Sequence, residues 1–228
     1  MKIYIYLVLI AISFSCARPC PKDIKLDEVF LTQQTNSEYL PTEDPKDILI
    51  FENSSGQELQ FTDQNPKWKT TYRIEVETLC ERGDFLDKTT QTKYIDAPGY
   101  HAYYVSKDQL YTLAIDASVQ NAGQYGNVSD TILYDFFSVW GQKVGTPAFT
   151  GGASKVTSDR GNKNRLPEFV FANDNMVMIA DTTIEGRSFK NIFTHPYSDI
   201  LNFRIFYSRE KGIEAFLLNN GEFWFLKE

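Results

Sequence analysis

The chain reads as an all-β protein: antiparallel hairpins forming a curved sheet, a sandwich or a barrel, with little helix apart from an N-terminal leader. Three observations predict this. Aromatic residues make up 14% of the chain, with 17 Phe and 13 Tyr, and such side chains suit half-buried pleated surfaces. Short segments alternate apolar and polar residues at a period of two. Turn clusters of Gly, Asn, Ser and Asp separate them. A chain of 228 residues buries roughly 70% of its unfolded surface, so a core forms without staples.

Asp47 to Glu52 (DILIFE) opens the dense region. Asn53-Ser54-Ser55-Gly56 is turn chemistry and Glu58 to Thr62 alternates, which predicts a hairpin. In Tyr72 to Cys80, Ile74 and Val76 fall on one face and Arg73, Glu75 and Glu77 on the other. Gln109 to Gln120 is the most regular strand. Tyr111, Leu113, Ile115, Ala117 and Val119 line one face, opposite Leu110, Thr112, Ala114, Asp116 and Ser118. Thr131 to Trp140 is mostly apolar and fits a buried strand or a short helix. Residues 141–166, rich in Gly, Ser, Thr, Asn and Lys, read as a long surface loop, a kind of segment that tends to be functional or disordered, and they are the first place to look for a binding loop.

Met176 to Ile184 and Ser188 to Phe193 form a hairpin about Glu185-Gly186. A closing meander runs through Phe203–Ser208, Ile213–Leu218 and Phe223–Leu226. Asn220-Gly221 predicts a type I′ turn there, with positive φ at both central residues. In the last strand Phe223 and Phe225 share one face and Trp224 takes the other. These elements define a single β-rich domain at residues 47–228. A polar tether at 16–46, interrupted by Pro19, Pro21, Pro41 and Pro45, precedes it.

Residues 1–15 (MKIYIYLVLIAISFS) read as a signal peptide. Lys2 supplies the positive start, and Ile3 to Phe14 is an uncharged, mostly apolar run too short to span a bilayer comfortably. Ser13-Phe14-Ser15-Cys16 resembles a relaxed lipobox, the motif of bacterial lipoproteins that ends in the modified cysteine. Small Ser15 before Cys16 matches the motif; Ser13, where Leu is usual, and bulky Phe14 depart from it. Cleavage after Ala17 is the rival, because Ser15-Cys16-Ala17 has the small-x-small form; the polar stretch after Cys16 favours the lipobox. The resemblance implies that Cys16 carries a thioether-linked diacylglycerol and an acylated amino group. Several acyl chains anchor firmly, since each buried methylene contributes about 0.8 kcal/mol. The rest of the chain, in its Gly-punctuated hairpins and aromatic last strand, is similar to small cell-envelope lipoproteins. That implies membrane attachment through the N-terminal lipid. Ala17 stands where many inner-membrane-retained lipoproteins have Asp, which points to the outer membrane where a cell has one.

Either cut leaves Cys20 and Cys80 as the thiols of the exported part. An oxidising compartment makes them a candidate disulfide. The net charge of −7 comes without a basic stripe, which argues against nucleic acid.

The chemistry-bearing residues are sparse. His101 and His195 are the only histidines. No zinc spacing, GxSxG elbow or phosphate-loop spacing is present, and Gly151-Gly152-Ala153-Ser154-Lys155 reads as a flexible loop. Asn173-Asp174-Asn175 lacks the remainder of a calcium loop. The expectation is therefore no catalytic set, no metal and no cofactor. The reading is a non-enzymatic binding or structural lipoprotein with a protein or glycan ligand. The alternatives are an envelope hydrolase and a carbohydrate-binding module. A hydrolase would bring His101 or His195 within hydrogen-bond reach of a Ser, Cys or carboxylate in a pocket. A carbohydrate module would expose aromatics from the set Tyr100, Tyr103, Tyr104, Trp140, Phe223, Trp224 and Phe225 along a sheet face.

Overall fold

Alternating apolar residues pair into strands throughout the chain, and the fold is all-β. The computed structural model describes residues 20–65, 67–83, 89–125, 131–145, 151–162, 164–171, 174–195 and 203–227. The residues read as leader and lipobox, Cys16 among them, lie outside these. Among the described residues the strands are β1 (Ile24–Glu28), β2 (Ile48–Asn53), β3 (Glu58–Asp63), β4 (Lys69–Arg82), β5 (Thr89–Ser106), β6 (Tyr111–Asn121), β7 (Leu133–Lys143), β8 (Gly151–Ser158), β9 (Val177–Ile184), β10 (Arg187–Thr194), β11 (Phe203–Ser208), β12 (Gly212–Leu218) and β13 (Phe223–Leu226). Among the described residues helix is confined to α1 (Gln33–Glu38), α2 (Glu168–Phe171) and a 3-10 turn at Ala122–Tyr125. The chain divides into two compact units: Met1–Val29 with Arg73–Asp96, and Phe30–Tyr72 with Ala97–Glu228.

In the larger unit the strands follow the order β8-β7-β6-β5-β3-β2-β13-β12-β11-β10-β9. Neighbours pair antiparallel, as β5–β6, β6–β7 and β11–β12 illustrate. The sheet curls until it nearly closes as a barrel. Phe137 of β7 lies 5.3 Å from Tyr207 of β11 between ring centroids, and Tyr111 of β6 lies 6.4 Å from Phe203 of β11. The inward residues make an aromatic core. Phe51, Phe61 and Phe216 meet edge-on at 5.0–5.9 Å, and Phe216 stacks on both Phe203 and Trp224. Each such ring taken from water contributes about 2–3 kcal/mol. A second cluster packs Phe189, Ile192, Phe206, Ala215 and Phe225, so β13 is buried on both faces, Trp224 on one and Phe225 on the other.

The smaller unit has a thin core. Parallel β1 pairs with β5 from Ile24↔Lys93 to Glu28↔Asp96, β4 pairs with β5, and only Ile74 and Thr92 among its described side chains are buried. Cys20 and Cys80 are joined by a disulfide with Cα atoms 5.9 Å apart. Asp23 pairs with Arg73 at 2.5 Å and Lys25 with Asp96 at 2.6 Å, and the Arg73 guanidinium lies 3.8 Å from the Tyr94 ring centroid.

Three segments differ from their sequence reading. The stretch 16–46, read as a tether, carries β1 and α1 over its described part, with Leu31, Thr35, Tyr39 and Leu40 buried. The reason is a carboxylate distant in sequence. Asp135, fully buried on β7, accepts from Thr32 N at 2.7 Å, Thr32 Oγ1 at 2.8 Å and Thr35 Oγ1 at 2.8 Å. It also receives Arg160 Nε at 2.6 Å. Thr32 is in turn the N-cap of α1, accepting from Thr35 N, so the cap and the carboxylate together satisfy the start of the helix. Second, residues 141–166 contain β8, whose Gly-rich start pairs Gly151 with Gly141 and Gly152 with Trp140. A side chain at 152 would press on Trp140 Cβ at 2.7 Å, so glycine marks close packing there.

Third, Asn219-Asn220-Gly221 is a three-residue loop, and Asn220-Gly221 is not a type I′ turn. Gly221 sits at φ +83° while Asn220 is not left-handed, and Gly221 N donates to Leu218 O at 3.0 Å. The single left-handed glycine after a tight turn is the bulged hairpin geometry. The paired positive φ of a two-residue hairpin loop occurs at Glu185 (+47°) and Gly186 (+80°), between the partnered Ile184 and Arg187.

Candidate functional site

Period-two alternation gives β5, β6 and β7 an outward face that the register orders into rows. One row pairs His101 with Asp116, Asp116 with Ser138, and Ser138 with Ser154. The next pairs Tyr103 with Ala114, Ala114 with Trp140, and Trp140 with Gly152. Alanine at the centre of the second row leaves room for the rings beside it. Tyr103 and Trp140 approach to 6.0 Å between centroids, and Ala114 is fully buried. The Tyr103 and His101 rings lie parallel within 11° at 6.2 Å.

Asp116 is the hub of the face. His101 Nδ1 bonds Asp116 Oδ1, Trp140 Nε1 donates to Asp116 Oδ2 at 3.1 Å, and Tyr72 OH donates to Oδ1 at 3.5 Å. Gly99 makes room for Tyr72: a Cβ there would stand 2.8 Å from the Tyr72 ring and 2.5 Å from the Ala117 carbonyl. The backbone around His101 is braced as well. Its N donates to Trp68 O at 2.9 Å, and Asn65 Nδ2 donates to its carbonyl at 2.9 Å. Trp68 in turn lies 5.2 Å from the Tyr100 ring. Beyond Trp140 the face continues as an open groove of about 340 Å³ lined by Phe136, Ser138, Trp140, Gly152, Ser154 and Asn175. Asn175 closes it, its Oδ1 accepting from Ser154 N at 2.9 Å.

The electrostatics follow from the hub. The bond from Asp116 lifts the His101 imidazole above its ordinary value of 6.5. The charges of Asp116 and Asp63 add to this, and partial burial opposes it. Burial first, then Asp116, pushes the Tyr72 phenol well above its usual range, so it acts as a neutral donor. With Nδ1 on a carboxylate, the tautomer is set, and Nε2 has no hydrogen-bond partner among the described residues. With the His101 side chain 30% exposed, Nε2 can accept from a ligand when neutral and donate when protonated. A raised folded-state pKa means that His101 contributes stability fully present below about pH 6.5. That contribution is lost as pH rises through the folded value. His101→Gln is expected to flatten this part of the stability–pH profile. Urea melts at pH 5.5 and 8.5 check it, and equal pH dependence in the two proteins would refute the coupling.

The structure brings together His101, Tyr103 and Trp140 of the residues singled out from sequence, with Tyr100 beside them, and leaves them half-buried. It adds Tyr72, Asp116 and Trp68, none of which had been read as functional. Asp116 had a usable signal: alternation placed it on the face opposite Leu113, Ile115 and Ala117. Tyr104, Trp224 and Phe225 are buried and belong to packing. His195 is also buried, with Nε2 3.3 Å from Phe203 O. The Gly151–Lys155 segment is strand, and Asn173 lies outside the described residues. Among the described residues no group of three His, Cys, Asp or Glu is placed to hold a metal ion, and no helix is long and apolar enough to cross a membrane. The row also limits nucleophilic chemistry. Ser138 is two strands from His101, roughly 10 Å, with Asp116 between them, so the three do not line up as a Ser–His–Asp relay. No protein-family model, curated protein or solved structure matches this chain.

Proposed function

We propose that this chain is an exported, lipid-anchored protein of the cell envelope that binds a ligand without transforming it. The ligand class the reading favours is a glycan. The observation that carries the binding reading is the Asp116-centred face. Half-buried Trp140, Tyr103 and Tyr72 stand beside a carboxylate, an imidazole whose Nε2 has no hydrogen-bond partner among the described residues, and the hydroxyl-lined groove of Ser138 and Ser154. Sugars carry apolar ring faces edged with hydroxyls, and aromatic faces next to hydrogen-bonding groups complement both. The leader and the Cys16 motif support export and anchoring, and a disulfide at Cys20–Cys80 suits an oxidising compartment.

A panel of envelope and extracellular glycans, titrated calorimetrically, tests it. At least one should bind, and Trp140→Ala should weaken that binding tenfold or more, about 1.4 kcal/mol. Wild-type affinity in Trp140→Ala, or silence across the panel, would remove the glycan. The hydrolase reading keeps one supporting observation, the His101–Asp116 pair. It predicts turnover of a bound polymer that His101→Gln abolishes.

A further inference from the structure

Residues 20–28 are fixed chain. Cys20 is bonded to Cys80, and its N donates to Thr89 Oγ1 at 3.4 Å. Gln91 Nε2 donates to Lys22 O at 3.1 Å, and Thr92 N donates to Asp23 Oδ1 at 2.8 Å. β1 then continues the pairing along β5 as far as Glu28↔Asp96. Cys16 precedes Cys20 by four residues, and four extended residues reach no further than about 14 Å. An acylated Cys16 therefore has almost no slack. Eight residues separate Cys20 from Glu28, the last five of them strand β1 with a bulge between Lys25 and Asp27, so the far end of β1 stands at most about 26 Å from Cys20. Leu79, next to Cys80, is an apolar side chain left 42% exposed.

From this we infer that the end of the smaller unit carrying Cys20, Leu79, Cys80 and Thr89 is a lipid-facing surface, held against the headgroups of the membrane that carries the anchor. The inference rests on the acylation of Cys16 proposed above. The occupant is the protein's own bilayer, because the disulfide and the β1–β5 pairing remove the spacer that would let this end stand clear of it.

The test uses the full-length protein from its native membrane, reconstituted in phosphatidylethanolamine–phosphatidylglycerol vesicles containing headgroup-spin-labelled lipid. Intact mass first establishes whether Cys16 is acylated. A fluorescent amino acid is then placed at position 79 in one protein and at position 28 in another. Quenching is expected to be at least fivefold stronger at 79. A 20-residue Gly/Ser insertion between Cys16 and Cys20 is expected to bring the two sites to within twofold of each other, since such a linker spans on the order of 25 Å. An acylated protein with equal quenching at both sites, or with a difference that survives the insertion, overturns this inference alone. An unacylated Cys16 overturns the anchoring reading together with it.

Discussion

Asp135→Ala is expected to lower the stability of the larger unit by about 4 kcal/mol, with Tm falling by roughly 10 °C. The carboxylate is fully buried and receives four donors: Thr32 N, Thr32 Oγ1, Thr35 Oγ1 and Arg160 Nε. Removing it leaves the Arg160 side chain, only 18% exposed, as a charge without its carboxylate. A guanidinium N–H of Arg160 also donates to the Phe30 carbonyl, so residues on both sides of Leu31 lose their attachment to β7. Deleting one partner of a buried pair costs far more than the pair gains over an apolar replacement. The double variant Asp135→Asn/Arg160→Met should therefore recover part of the loss. Urea unfolding checks both. A loss under about 1 kcal/mol for Asp135→Ala would mean that water satisfies these donors equally well.

The second large effect belongs to the smaller unit. With Ile74 and Thr92 its only buried described side chains, apolar burial contributes little, and its exposed ion pairs contribute little as well. The disulfide closes a loop with a sequence separation of 60, which restricts the unfolded chain by about 4 kcal/mol. Replacing both cysteines with serine is expected to release residues 20–28 from β5. Amide exchange should speed up by two orders of magnitude or more at Thr92 and Tyr94, while β6 and β7 keep their protection. Unchanged exchange at those residues would show that the β1–β5 hydrogen bonds suffice alone. The same variant should become sensitive to proteolysis between Lys22 and Glu28.

Much of the architecture was legible, because period two survives wherever one face is buried. Tyr111–Asn121 shows this, as do the closing strands around Phe216 and Trp224. The exceptions have physical causes. β5 (Thr89–Ser106) drew no strand reading, and it contains Pro98-Gly99, a pair that is unusual inside a strand. In the structure the glycine lies within the strand, where the Ala117 carbonyl and the Tyr72 ring leave no space for a Cβ. β8 was hidden by Gly151-Gly152, of which Gly152 is set against Trp140. α1 was hidden because Thr32 and Thr35 look like solvated polar residues until Asp135 is placed beside them.

The Asp116 face failed to appear for a different reason. Its residues come from strands whose pairing no short window contains. Taking Lys107-Asp108-Gln109-Leu110 as the reversal and counting back equally along both arms brings His101 opposite Asp116. Without β5 assigned, that count had no second arm. The Asn219–Gly221 loop shows the limit of dipeptide rules: an Asn-Gly pair admits two loop lengths, and the adjoining Asn219 joins the loop.

The Cys20–Cys80 bond also decides how tension would travel. A pull entering the chain upstream of Cys20 and leaving downstream of Cys80 passes from the segment ahead of β1 into β4 through two sulfur atoms. Residues 21–79 form a covalent side branch that such a pull cannot stretch. The backbone through β1, α1, β2 and β3 would thus add no length under such a pull until the sulfur bridge is reduced, at which point the intervening chain could be drawn out.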